Sequence, residues 1–157
     1  MSTSQDASFV QSGSMLAENQ PPLIEFHKHC QWRYATINVR TVQKDSDLEE
    51  CIRQISRARI SVCALQEVKR LQRGNCIIQV ANDEGVMERY EVHWSGPECR
   101  RRNGVGIVIR VLPEIEITAV EYVSDRHMTA SLSISGCKLK FVCCYAPCLD
   151  ASNNQKN

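Results

Sequence analysis

From Trp32 onward, the chain alternates between apolar runs of strand length and short polar breaks. The first run covers residues 34–39 and the second covers residues 60–65. Between them, residues 47–58 carry apolar side chains at the helical spacing i, i+3, i+4 and i+7, beginning at Leu48. Strand, helix and strand in this order predict a βαβ unit. Its right-handed crossover places the carboxyl ends of two parallel strands side by side, which is where open α/β sheets bind ligands.

The start of this helix has a recognisable sequence signal. Ser46-Asp47-Leu48-Glu49 has the Ser-x-x-Glu form of a capping box, in which the serine side chain and the glutamate side chain satisfy free backbone N–H groups. We therefore predict that Ser46 caps a helix over residues 47–58.

The second half of the chain has the period-2 pattern of short strands, with few helical signals. These strands are predicted over residues 76–80, 90–94, 105–111, 115–119, 127–134 and 139–145. The predicted fold class is therefore α/β, with one mixed β-sheet that has a βαβ start and continues as an antiparallel meander. In a single sheet, the apolar side formed by Met128, Leu132 and Ile134 is open to solvent, and such a patch favours a protein partner.

Composition limits the classes of protein to which the chain belongs. Its 157 residues suffice for one domain, and a formal net charge of +1 argues against a generally basic surface but allows a locally positive groove. No apolar stretch approaches the roughly 18 residues that span a bilayer, and the N-terminus lacks a secretory signal. The nine cysteines include no Cys-x-x-Cys pair, which favours reduced thiols over a zinc or disulfide framework. We expect an intracellular protein, nuclear or cytoplasmic, with no membrane segment.

The chain divides into three parts by composition. Residues 1–31 are rich in Ser, Gln, Asn and Pro and are interpreted as a disordered leader. Residues 32–152 carry the strand and helix patterns of a folded domain. Residues 153–157 form a short polar tail.

Glu67 and Asn38 are polar residues at the ends of the two predicted parallel strands. A carboxylate in this position offers a hard oxygen ligand to Mg²⁺, which needs only one or two protein carboxylates in addition to water and substrate phosphate. Asn38 could coordinate weakly, hold a neighbouring carboxylate by hydrogen bonds, or simply begin a turn. The alternative for Glu67 is a surface side chain that pairs with Lys69 or Arg70.

Tyr145 and Arg126 are further candidates at the ends of predicted strands. The Tyr145 phenol can donate to a phosphoryl oxygen or be a packed aromatic, and Arg126 can contact a phosphate or pair with Asp125. His93 and His127 lie within predicted strands and are interpreted as structural.

Five short segments occur in an order and spacing that resembles the first half of an endonuclease/exonuclease/phosphatase domain. They are Thr36-Ile37-Asn38-Val39-Arg40-Thr41, Ala64-Leu65-Gln66-Glu67-Val68, Trp94-Ser95-Gly96, Arg102-Asn103-Gly104-Val105-Gly106 and Cys144-Tyr145-Ala146-Pro147. The sequence is most similar to the apurinic-type endonuclease domains of non-LTR retrotransposons and to their domesticated relatives, the craniofacial development protein 2-like group. The resemblance covers about residues 33–152 and implies the first half of a four-layer, DNase I-like α/β sandwich.

The resemblance also implies a role for each candidate. Glu67 resembles the family's principal Mg²⁺ (or Mn²⁺) ligand, and Asn38 resembles the active-site asparagine that supports the metal. Tyr145 resembles the tyrosine near the scissile phosphate, and Arg126 resembles a recurrent residue of the preceding strand that contacts substrate phosphate. The implied partner is nucleic acid, specifically DNA.

The family's downstream Gly-Asp-x-Asn segment and Asp-His pair have no counterpart in the sequence. After Tyr145 the chain has one acidic residue, Asp150, and no histidine. We therefore expect an incomplete domain with weak Mg²⁺ binding and little or no endonuclease activity. The alternatives are a non-catalytic, retrotransposon-derived remnant that acts as an interaction module, and a phosphatase of the same fold.

Overall fold

The computed structural model describes residues 32–99 and 102–146, so the predicted leader and the polar tail lie outside the described residues. The elements are β1 (Tyr34–Asn38), α1 (Asp45–Arg57), β2 (Val62–Gln66), β3 (Arg73–Ala81), β4 (Met87–Ser95), β5 (Val105–Arg110), β6 (Ile115–Ser124), β7 (His127–Ile134) and β8 (Cys137–Cys144). The fold class is mixed α/β and consists mostly of strands.

The predicted βαβ unit is present. Strands β1 and β2 pair in parallel, with Asn38 opposite Gln66, and α1 lies between them in sequence. The carboxyl ends of the two strands therefore lie next to each other. Strand β2 is buried along most of its length, as expected of a strand covered on both faces.

The apolar stripe of α1 forms as predicted, but the helix begins earlier than its sequence signal indicates. Leu48, Ile52 and Ile55 are buried against the sheet. The N-cap is Lys44, whose side chain makes no capping hydrogen bond, and the backbone N–H of Leu48 donates to the Lys44 carbonyl at 3.2 Å. The predicted Ser46 cap is therefore wrong, because this bond already places Ser46 inside the first helical turn.

The strands form two sheets, and the prediction of one mixed sheet is wrong. The first sheet has five strands in the order β1-β2-β5-β4-β3, and the second is antiparallel with the order β6-β7-β8. Between β5 and β6 the chain turns, with the Ile115 N–H donating to the Leu112 carbonyl at 3.0 Å. Pro113 lies within this turn and has no N–H for a sheet ladder, so the chain leaves the first sheet there.

Each face of the five-stranded sheet has its own apolar core. Helix α1 covers one face, and the three-stranded sheet covers the other. Met128, Leu132 and Ile134 belong to the second core and are only 0%, 1% and 5% exposed. The predicted open apolar face is therefore buried, and it provides no argument for a protein partner.

The described residues thus form three layers: a helix, a five-stranded sheet and a three-stranded sheet. Within those residues, no helix has the length and apolar character needed to cross a membrane. The seven described cysteines, Cys51, Cys63, Cys76, Cys99, Cys137, Cys143 and Cys144, are all free thiols.

Candidate functional site

The candidate residues come from three strand ends that meet at one edge of the molecule. Asn38 ends β1, Glu67 directly follows β2, and Tyr145 directly follows β8. Tyr145 packs against the core between the two sheets. Residues separated by up to 78 positions in sequence are therefore in direct contact.

Glu67 lies at the centre of these contacts. Its Oε1 atom accepts a hydrogen bond from Asn38 Nδ2 at 2.8 Å and another from the Tyr145 hydroxyl at 3.1 Å. The Oε2 atom lies 3.7 Å from the Lys69 ammonium nitrogen, and the Glu67 side chain is 23% exposed. The two oxygens of the carboxylate thus have different surroundings, with neutral donors on one and a cation near the other.

The orientation of the Asn38 amide is set by a hydrogen bond from the backbone of Arg40. Asn38 Oδ1 accepts a hydrogen bond from the Arg40 N–H at 3.0 Å, which directs the amide nitrogen towards Glu67. Of the three interpretations of Asn38, the geometry favours the one in which its amide holds the Glu67 carboxylate by a hydrogen bond. The role of Asn38 as a direct metal ligand stays a prediction, since the amide oxygen that accepts from Arg40 has a second lone pair.

The backbone at the site has left-handed conformations that non-glycine residues seldom adopt. The φ angles are 57° at Arg40, 58° at Glu67 and 54° at Lys69. Each such residue costs on the order of 1–3 kcal/mol, and such strain is often concentrated at functional sites. The strained segment is held by the N–H of Val68, which donates to the Gly104 carbonyl at 3.1 Å, and by that of Lys69, which donates to the Asn103 carbonyl at 2.9 Å.

The surroundings of Glu67 favour its charged form. The Asn38 hydrogen bond lowers the pKa of Glu67 below its ordinary value of 4.5, with further lowering from Tyr145, Lys69 and Arg40, while partial burial opposes the change. Glu67 is therefore a carboxylate at neutral pH, which is the form that a divalent cation binds.

Arg126 lies next to Tyr145 and supports it. The residue is in the turn between β6 and β7, rather than in a strand as the resemblance implies. Its Nη1 atom donates to the Tyr145 carbonyl at 3.4 Å, and its guanidinium carbon lies 5.3 Å from the centre of the Tyr145 ring. The alternative partner, Asp125, instead accepts a hydrogen bond from Asn103 Nδ2 at 3.5 Å.

An open cavity of about 1100 Å³ lies beside this turn. Asp125 lines it, and the remaining lining residues come mainly from the start of β3, the end of β4 and the loop after β4. The charged side chains that line the cavity are one cation, Arg73, and two carboxylates, Glu98 and Asp125. Among the described residues that line this cavity, Glu67, Tyr145 and Arg126 are absent.

A carboxylate oxygen is the type of ligand that hard cations take in proteins. Among residues 32–99 and 102–146, the neutral donors to Glu67 both contact Oε1 and none contacts Oε2. Mg²⁺ commonly binds proteins through one or two carboxylates while keeping several waters. Over residues 32–99 and 102–146, no group of three or more His, Cys, Asp or Glu side chains is arranged to hold a metal. Any cation here would therefore depend on Glu67, water and a ligand.

The two histidines lie elsewhere in the described structure. His93 is buried, and its ring nitrogens lie 2.7 Å from the Tyr122 hydroxyl and 2.7 Å from a Glu91 carboxylate oxygen. His93 thus links β4 to β6 and connects the two sheets. His127 interacts electrostatically with Glu121 on the outer face of the second sheet.

Lys69 and Arg40 are the site residues that the sequence did not assign. Lys69 appeared only as a surface partner of Glu67, and the structure does place it beside that carboxylate. The other proposed partner, Arg70, pairs with Asp45 at 2.7 Å and lies over the Trp94 ring. In the structure, Glu67 and Lys69 have left-handed backbones on either side of the buried residue Val68.

A scan against models of protein families found no match to the chain, and a search of curated proteins found none. The resemblance to endonuclease/exonuclease/phosphatase domains therefore depends on the five segments alone.

Proposed function

We propose that the chain is an endonuclease-like domain that binds nucleic-acid phosphodiesters with the help of Mg²⁺ or Mn²⁺. The observation that carries the proposal is that Asn38 and Tyr145 both contact the same Glu67 oxygen, Oε1. The second oxygen, Oε2, faces the Lys69 ammonium. We further infer that the described strands are the first half of a four-layer, DNase I-like sandwich. The order of the elements and the five segments support this inference.

Each residue has a distinct part in the proposed site. Glu67 holds the cation, which when bound polarises a phosphate and offsets its charge. Asn38 and Tyr145 fix the carboxylate in one orientation, and this preorganisation lowers the cost of ordering the site when the ligand binds. Arg126 fixes the Tyr145 segment, and the remaining donors of its guanidinium are available for a phosphate oxygen.

Hydrolysis by this chain is expected to be weak or absent. A positioned general base contributes roughly 10² to 10⁴ in rate. Within the part of the chain that the structure describes, neither a histidine nor a second carboxylate contacts Glu67. The proposed activity is therefore metal-assisted binding of a phosphodiester, with cleavage near the uncatalysed background.

The proposal is tested by comparing Glu67→Gln with Glu121→Gln. Glu121 is a matched control because it also pairs with a lysine, Lys140, at 3.0 Å and has a lowered pKa, caused first by its hydrogen bond from Lys140. Mn²⁺ binding is measured by electron paramagnetic resonance, and oligonucleotide binding by fluorescence anisotropy with and without Mg²⁺. The wild type and Glu121→Gln are expected to bind both ligands, whereas Glu67→Gln loses at least tenfold in Mn²⁺ affinity because the amide carries no charge.

The same samples test cleavage of plasmid and abasic DNA. Absence of Mn²⁺ binding at millimolar concentration, or equal binding by the wild type and Glu67→Gln, would refute the proposed metal site. Robust DNA cleavage that depends on Glu67 would instead show that the chain is a working nuclease and would contradict the expected weak activity.

A further inference from the structure

Lys69 occupies the side of Glu67 on which a divalent cation would bind. The Asn38 and Tyr145 donors both contact Oε1, and the Lys69 ammonium is near Oε2. The Lys69 nitrogen lies 3.7 Å from that oxygen, so the two charges attract each other without the close contact of a strong hydrogen bond. The ammonium thus partly neutralises the charge on Oε2.

The backbone of Lys69 is held in place, while its side chain can still move. Its N–H is bonded to the Asn103 carbonyl at 2.9 Å, and its φ of 54° places it in the left-handed region beside the equally left-handed Glu67. The Lys69 side chain is 33% exposed. A lysine is a strongly hydrated point charge on a flexible four-carbon stem, so this ammonium can leave the carboxylate without moving the backbone.

An ammonium and a divalent cation repel each other at such short range, and both favour the same carboxylate oxygen. When a metal is present, the ammonium must withdraw into the space around the site. An anionic ligand held at Glu67 would then be within its reach, because Lys69 starts only two residues from that carboxylate.

We propose that Lys69 is an exchangeable internal counterion, which holds Glu67 in the absence of metal and contacts a phosphate of the ligand once a divalent cation takes its place. This inference rests on the proposed function and adds a specificity-determining residue to that site. It predicts that removal of the Lys69 charge has opposite effects on two affinities. Metal affinity rises because a competitor is lost, while oligonucleotide affinity in the presence of Mg²⁺ falls because a phosphate contact is lost.

The test uses the whole chain with Lys69→Met, Lys69→Gly and Lys69→Arg. The methionine keeps the apolar stem, and the glycine removes the same charge while favouring the left-handed backbone, so agreement between them separates charge from backbone strain. Lys140→Met is the matched control, because within the described part of the chain Lys140 also pairs with a glutamate, Glu121 on the second sheet, at 3.0 Å. Correct folding of each variant is checked by circular dichroism.

We expect Mn²⁺ affinity to rise about threefold to tenfold in Lys69→Met and Lys69→Gly. Oligonucleotide affinity with Mg²⁺ should fall in both variants, and the slope of log affinity against log salt should decrease by about 1. Lys69→Arg, which keeps the charge, should stay near the wild type in oligonucleotide binding, and Lys140→Met should match the wild type in both measurements.

The outcomes distinguish this inference from the proposed function. Loss of Mn²⁺ binding in Glu67→Gln together with unchanged or weaker Mn²⁺ binding in Lys69→Met would overturn the counterion role and leave the metal site intact. Stronger Mn²⁺ binding with unchanged oligonucleotide binding would overturn the phosphate contact. A wild type that binds no Mn²⁺ would overturn both proposals.

Discussion

At the residue scale, Glu67 combines a strained backbone with a carboxylate whose two oxygens differ. The left-handed φ of 58° directs the side chain out of the line of β2, and the bonds from Asn38 and Tyr145 then fix it. A surface glutamate paired with a lysine would need neither the strain nor these two neutral donors. The strained backbone and the two neutral donors hold the carboxylate in one orientation beside Lys69.

The contribution of Asn38 to this arrangement can be measured directly. Asn38→Ala should raise the pKa of Glu67, because the amide hydrogen bond is the largest cause that lowers it. Tyr145→Phe should change the pKa in the same direction, but less. The measurement is a ¹³C NMR titration of the Glu67 carboxyl, with exposed Asn75→Ala as the control. A pKa that stays constant or falls in Asn38→Ala would contradict the geometry.

The same lowered pKa sets the sign of the pH dependence. Since Glu67 is charged above its pKa, cation binding should be constant from neutral pH down to about its ordinary value of 4.5 and should be lost as the pH falls through the lower, folded-state pKa. In Asn38→Ala the loss should occur at higher pH. Mn²⁺ binding measured between pH 7 and pH 3 tests both expectations.

At the scale of elements, the main feature is the packing of the three-stranded sheet on the five-stranded one. Leu132 and Leu139 are cross-strand partners in β7 and β8, yet Leu132 is 1% exposed and Leu139 is 37% exposed. The two leucines have the same chemistry and differ in how completely the first sheet covers them. They therefore provide a matched pair for testing the sheet-on-sheet core.

Leu132→Ala should lower the free energy of unfolding by about 2–5 kcal/mol, since it removes transfer free energy and leaves a cavity. Leu139→Ala should cost less, about 1–2 kcal/mol, because Leu139 is 37% exposed and the burial that it loses is only partial. Urea unfolding followed by tryptophan fluorescence gives both values. Equal small costs would indicate that the two sheets do not pack as described.

At the scale of the whole molecule, buried Glu88 connects elements that are distant in sequence. It accepts hydrogen bonds from Ser56 of α1 at 2.8 Å and from Asn82 of the β3–β4 turn at 3.2 Å, and it pairs with Arg110 of β5. Burial is the largest single influence and raises the pKa of Glu88, but the hydrogen bonds and Arg110 together lower it below its ordinary value of 4.5.

Glu88→Gln should lower the free energy of unfolding by about 1–3 kcal/mol at pH 7, because it leaves Arg110 without its carboxylate. A lowered pKa means that the stabilisation by Glu88 is present above pH 4.5 and is lost as the pH falls through the folded-state pKa. The difference between wild type and variant should therefore shrink in acid. Urea unfolding at pH 7, 5, 4 and 3 measures this difference, and Glu116→Gln, at an exposed position, is the control. If wild type and Glu88→Gln differed in unfolding free energy by the same amount at pH 3 and pH 7, the expectation would be refuted.

The sequence by itself determined the βαβ start and the placement of Asn38 and Glu67 at neighbouring strand ends. Both follow from local rules, because helical and strand periodicities are set by nearby residues and the crossover has a fixed hand. The alternating pattern in residues 127–134 correctly indicated that one side of β7 is apolar.

Only the tertiary structure decided what covers that apolar side and what surrounds the Glu67 carboxylate. A period-2 pattern reports which face avoids water, but it does not say whether the covering surface is a partner protein or another sheet of the same chain. The hydrogen bond from Tyr145 to Glu67 joins residues 78 positions apart. The left-handed turns that direct Glu67 and Lys69 outward are held by bonds to Gly104 and Asn103, and contacts of this kind have no local signal in the sequence.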